Sequence, residues 1–154
     1  MHHLFIQALI SLVLLPFSAQ ALCVKVDQAN LRMKPDAGAP LAWTVGKYMP
    51  LLELKRKGSW YLVRDLEGKK MWIYSSLVTD RYDCAVIKAK TTNLRKGPGT
   101  KFGKTHLAQA HRYHPFKKLD RDGGWLKLED DYGYKHWVFE KNLWEPLNYS
   151  TLTY

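Results

Sequence analysis

The chain has 154 residues, 46% of them hydrophobic, with two cysteines and a formal net charge of +10. Its longest apolar run, residues 4–15, is about a dozen residues, well short of the ~20 needed to span a bilayer, so no transmembrane segment is expected once the leader is removed. Residues 23–83 carry 11 Lys/Arg against 7 Asp/Glu, and residues 84–154 carry 13 against 7, so the basic charge is not confined to one tail.

The first 21 residues contain no Lys, Arg, Asp or Glu. An apolar core, a helix-breaking Pro16 and the small-x-small run Ala19-Gln20-Ala21 read as a signal peptide over residues 1–21, cleaved after Ala21. One departure is His2 and His3, where Lys or Arg usually sits; a lipoprotein anchor at Cys23 is not expected, because Leu22 stands where it needs a small residue. The expected mature chain, from residue 22, is exported to the periplasm or the extracellular space.

Beyond the leader the chain says nearly the same thing twice. Cys23 opens C-V-K-V-D-Q-A-N-L-R-M-K-P and Cys84 opens C-A-V-I-K-A-K-T-T-N-L-R-K-G-P; later, G-S-W and W-I-Y return as G-G-W and W-V-F. A period near 60 is too long for a solenoid repeat and suits two small domains in tandem. Two cysteines in an exported chain usually pair. If the ends of a repeat meet, Cys23 and Cys84 come together, and the bridge contributes on the order of 3–4 kcal/mol by restricting the unfolded chain.

Helical periodicity is nearly absent, while Val, Ile, Trp and Tyr recur in short runs bounded by Gly, Pro and Asp, the pattern of a small all-β barrel. The most readable element is a hairpin, residues 60–74 and again residues 125–139. Tyr61, Val63, Ile73, Leu126, Leu128 and Val138 occupy the positions apolar in both copies and are the expected core residues. Pairing them requires three-residue loops, Leu66-Glu67-Gly68 and Asp131-Tyr132-Gly133, in which Gly takes the left-handed position. Alternation then puts Trp60 opposite Tyr74, Leu62 opposite Trp72, Trp125 opposite Phe139 and Lys127 opposite Trp137, all off the hairpin's core face. Either the barrel or the other domain covers these aromatics, or they form a ligand platform; the residues alone leave both open.

Catalytic and metal chemistry find little support. His106, His111, His114 and His136 fall in the second copy only and read as surface histidines; His111/His114 spacing could suit a metal, but no free Cys accompanies it. Asp120, Asp122, Asp130 and Asp131 flank turns, where Asp is favoured for backbone reasons. Gly97-Pro98-Gly99 has no following helix to cradle phosphate. No enzyme, metal or cofactor is expected.

The order N-L-R…P, G-x-W, apolar strand, W-[IV]-[YF] resembles the bacterial SH3 (SH3b) domain. Asn93-Leu94-Arg95-Lys96-Gly97-Pro98-Gly99-Thr100-Lys101-Phe102 is very similar to that family's opening signature, and the first copy departs from it with Met33-Lys34 before Pro35 and Asp36 after it. The resemblance implies two small SH3-like barrels in tandem, residues 22–82 and 83–146, with a tail at 147–154. It further implies binding of cell-wall peptide or glycan, or of an envelope protein. A scaffold without a groove ligand is the competing reading, as is charge-driven binding of an anionic polymer; export and two-sign charge argue against nucleic acid. The tryptophan after G-x occupies the strand position where eukaryotic SH3 domains present a groove tryptophan. Expected ligand residues are therefore Trp125, Phe102, Trp60 and Trp43, with Lys101, Lys104 and Lys127 attracting carboxylates.

Overall fold

The computed structural model describes residues 19–146. Most of the expected leader and the expected tail lie outside the described residues. Fourteen strands form two seven-stranded antiparallel sheets. The first contains β1 (Gln20–Val24), β2 (Gln28–Arg32), β3 (Leu41–Gly46), β4 (Pro50–Lys57), β5 (Trp60–Arg64), β6 (Lys70–Tyr74) and β7 (Val78–Thr79). The second contains β8 (Cys84–Ile87), β9 (Thr91–Arg95), β10 (Lys104–His111), β11 (Pro115–Asp122), β12 (Trp125–Glu129), β13 (Lys135–Phe139) and β14 (Leu143–Trp144). The strand orders, β3-β2-β6-β5-β4-β1-β7 and β10-β9-β13-β12-β11-β8-β14, are the same path run twice. Strand β1 begins on the leader side of the expected cleavage point: Gln20 and Ala21 pair with Glu53 and Leu52, while Leu22 and Cys23 pair with Leu51 and Pro50.

The hairpin register matches the expectation rung for rung. Trp60, Tyr61 and Leu62 pair with Tyr74, Ile73 and Trp72; Trp125, Leu126 and Lys127 pair with Phe139, Val138 and Trp137. Gly68 and Gly133 sit at φ 81° and 87°, the left-handed turn position where a Cβ would be strained. Each loop is tied from within by the residue that opens it. Asp65 accepts backbone N–H bonds from Glu67 and Lys69, and Asp130 accepts them from Tyr132 and Tyr134. Both aspartates are buried.

Curvature comes from a bulge repeated in both copies. The register slips between Glu53 and Lys55 on β4, and between Lys118 and Asp120 on β11, leaving Leu54 and Leu119 as extra residues. An extra residue on one strand bends it and raises the local twist, which helps a short sheet close on itself. Inside, Val63, Ile73, Leu126, Leu128 and Val138 are fully buried. Tyr61 departs from the expectation. It is half-buried at the edge of the first core, with the Arg56 guanidinium 4.6 Å from its ring centre. A phenol keeps its polar tip wet, whereas the equivalent Leu126 has no such tip and is fully enclosed.

The two barrels are docked on each other. Cys23 on β1 and Cys84 on β8 form the disulfide, so the bridge joins the first strands of both barrels as well as the ends of the first repeat. Tyr48 and Tyr82 pack edge to face at 5.8 Å around it. Val86 of the second sheet is buried in the first barrel's core, with Trp144 and Tyr113 packed at its margin. Arg64 lies 5.8 Å from the Trp144 ring, and Arg112 pairs with Glu67.

Truncating fully buried Leu128 to Ala is expected to cost about 2–4 kcal/mol in urea unfolding, and Lys127→Ala on the opposite face less than about 0.5 kcal/mol. Equal losses would refute the register. The native protein is also expected to show no reactive thiol, and Cys23→Ser/Cys84→Ser to lose about 3–4 kcal/mol.

Candidate ligand groove

Alternation in β9 buries Thr92 and Leu94 and turns Thr91, Asn93 and Arg95 the other way. Because directly paired residues share a face, Arg95, Trp137, Lys127 and Asp120 form one cross-strand row on the outer face of the second sheet. Phe139, Trp125 and Asp122 form the next. The Trp125 and Phe139 rings lie 5.5 Å apart at 48°. Together with Arg95, Asn93, Gln109 and Asn142 they line a groove of about 370 Å³.

Several of these groups are fixed by bonds among themselves. Gln109 donates to Asn93 Oδ1 at 3.3 Å, and Asn142 donates to Thr92 Oγ1 at 2.9 Å. Arg95 donates through Nη1 to the carbonyls of Thr100 (3.2 Å) and Phe102 (2.9 Å). The arginine of N-L-R thus ties down the loop beside the groove, as Arg32 does through the Ala39 carbonyl in the first barrel. A guanidinium suits this task because its donors fan out in a rigid plane.

The first barrel has the aromatic pair, Trp60 and Tyr74 at 5.4 Å, but different surroundings. The register aligns Thr92 with Ala29, and the turn residue Asn142 with Leu77. Both apolar replacements belong to the first core. The polar floor is therefore a property of the second copy.

The other expected ligand residues lie elsewhere. Phe102 packs over Gly97, where an added Cβ would stand 2.4 Å from the ring, so this pair is matched for close packing. The first copy carries Lys34 and Ala39 in their places. Lys101 is exposed, its ammonium 5.3 Å from the Phe102 ring, and Lys104 pairs with Arg95 at the start of β10. Lys127 sits half-buried between Trp137 and Asp120. Trp43 is at the barrel junction, 5.2 Å from Tyr113. Of the groove-lining residues, Asn93, Arg95, Gln109 and Asn142 were not among the expected ligand residues. Asn93 was visible in the repeated N-L-R; Gln109 reaches the groove through the irregularity around Ala108, which has φ 59°, and no local pattern marks it.

The reading of His136 as a surface histidine is corrected: it is fully buried on the core side of β13. Its Nε2 lies 2.9 Å from Asp130 Oδ2 and its Nδ1 2.8 Å from Thr105 Oγ1, so both ring nitrogens have partners. This chain secures the aspartate that caps the hairpin loop. Burial by itself would raise the Asp130 pKa; the bonds from His136, Tyr134 and Tyr132 outweigh it and hold the carboxyl below its ordinary value of 3.8. A depressed carboxylate contributes stability above its unfolded pKa and loses it as pH falls through the folded one. The stability gap between native protein and Asp130→Asn is thus expected to be full above about pH 5 and to shrink in acid, in denaturant titrations across pH. A gap that widens below about pH 4 would contradict this arrangement.

Family models for the bacterial SH3 domain match residues 25–80 and residues 90–143. No curated protein matches the chain. Among solved structures it is similar to an NlpC/P60 family protein from Bacillus cereus ATCC 10987, at 14% identity over 82% of this chain and 56% of that one, TM-score 0.37. It is similar also to NlpC1 from Trichomonas vaginalis, at 12% identity over 81% and 45%, TM-score 0.37. The endolysin LysPBC5 CBD matches at 21% identity over 82% and 93%, TM-score 0.33. The chain spans about half the length of the two NlpC-type structures. With both repeats matched and the same sheet drawn twice, the chain belongs to the bacterial SH3 domain family and carries two such domains in tandem.

Proposed function

We propose that this is an exported, non-catalytic binding protein that takes an extended peptide of the cell wall into the groove of its second barrel. The observation that carries the reading is the Trp125–Phe139 pair flanked by amides and by Arg95. Flat, stiff aromatic faces accept an extended chain at little conformational cost. Asn93, Gln109 and Asn142 offer donors and acceptors to peptide groups, and the Arg95 charge favours ligand carboxylates. Amides, hydroxyls and a permanently charged guanidinium bind without shuttling protons, which suits recognition. Export is supported by the charge-free apolar leader with its small-x-small end and by the disulfide. Membership of a family of binding modules supports the same reading.

Co-sedimentation with purified cell-wall sacculi tests it. Trp125→Ala is expected to weaken binding about tenfold or more, the scale of a central interface aromatic, with circular dichroism and melting retained. Trp60→Ala is expected to change it less than about twofold. Undiminished binding by Trp125→Ala, or loss of all binding in moderate salt whichever tryptophan is present, would replace the groove with a charge-driven mechanism.

A further inference from the structure

A second cavity, independent of the groove, lies where the two barrels meet. It measures about 290 Å³ and takes its walls from both: Trp43, Lys47 and Met49 from the first barrel, Tyr113, His114 and Asp131 from the second. Neither barrel alone makes it. Trp43 and Tyr113 meet edge to face at 5.2 Å, and the Tyr113 hydroxyl donates to Asp65 across the junction at 3.4 Å. The repeat itself shows specialisation. Thr44 and Gln109 are equivalent partners of Asn30 and Asn93, and the residue before each in the chain is Trp43 in the first copy and Ala108 in the second.

The geometry points to a second ligand site at this junction, for a short peptide with both termini free, its ammonium at Asp131 and its carboxylate at Lys47. The aromatic edges of Trp43 and Tyr113, with Met49, supply a partly apolar wall for a side chain. The Lys47 ammonium is steadied 5.2 Å from the Tyr48 ring. Of the other charges near Tyr113, Arg112 and Glu67 satisfy each other. His114 also lines the cavity; burial lowers its pKa, which favours the neutral imidazole, a group able to hydrogen-bond the peptide. A cation from one barrel and a carboxylate from the other, lining one cavity, favour a zwitterion over either singly charged relative, because each blocked terminus leaves one charge unmatched.

Titration of 15N-labelled protein with alanyl-leucine, its N-acetyl form and its C-terminal amide tests the site. The free dipeptide is expected to shift the Trp43 indole, Gly46 and Tyr113 signals saturably, and each blocked form to bind at least fivefold more weakly. Lys47→Met is expected to remove the preference for a free carboxylate while keeping that for a free ammonium; Asp131→Asn should do the reverse. Trp125→Ala is expected to leave these shifts in place, which separates the junction from the groove. Absence of junction shifts at millimolar dipeptide, or equal binding of all three peptides, overturns the proposal. Loss of native peak dispersion in a variant is resolved with Lys47→Arg, which keeps the charge and is expected to bind as the native protein does.

Discussion

Everything about this protein's surface depends on the register of one hairpin per barrel. A strand has two faces, and a slip by one residue exchanges them. In the second barrel such a slip would bury Trp125, Lys127 and Glu129 and turn Leu126 and Leu128 to solvent. The register is held at the loop by two local devices. Gly133 takes the left-handed position, and Asp130 binds the backbone of Tyr132 and Tyr134. The first barrel repeats both with Gly68 and Asp65. The second adds His136 and Thr105 behind the aspartate, turning a turn-capping carboxylate into the end of a hydrogen-bonded chain. With its carboxylate and imidazole buried, this chain fastens the loop.

The differences between the two copies say more about function than their likeness. The likeness builds the barrel: the same strand order, the same bulge, the same N-L-R arginine bonded to loop carbonyls. The differences sort by location. On the groove side the second copy has Thr92 and Asn142 where the first has Ala29 and Leu77, so one copy keeps polar groups where the other adds to its core. At the junction the first copy has Trp43 packed on Tyr113, and the residue at the same step of the repeated sequence in the second copy is Ala108. Each barrel thus carries its own share of surface chemistry on a common frame, and the disulfide with its flanking tyrosines holds the shares in fixed relation.

Much of this is legible in the amino-acid sequence. Period-two alternation in two copies, with glycine at one turn position, leaves little freedom of register, so the barrels, the aromatic pairs and the cysteine pairing can be read directly. The parts that cannot be read depend on contacts between separate segments. Phe102 reads as an open groove residue, and the structure finds it half-buried against Gly97, five residues back. Trp43 reads as a groove aromatic until the second barrel arrives against it. Gln109 and Asn142 lie outside any motif and reach the groove through a distorted strand and a short helical turn. His136 reads as a surface histidine because its partners are 6 and 31 residues away.

The central claim is that the Trp125–Phe139 face of the second barrel is where the cell-wall ligand lies. Chemical-shift mapping with soluble cell-wall peptide fragments addresses it residue by residue. The account predicts saturable shifts concentrated at Asn93, Arg95, Trp125, Phe139 and Asn142, with the Trp60 and Tyr74 signals of the first barrel still. Shifts confined to the first barrel's aromatic pair, or scattered over lysines and abolished by moderate salt, would contradict it.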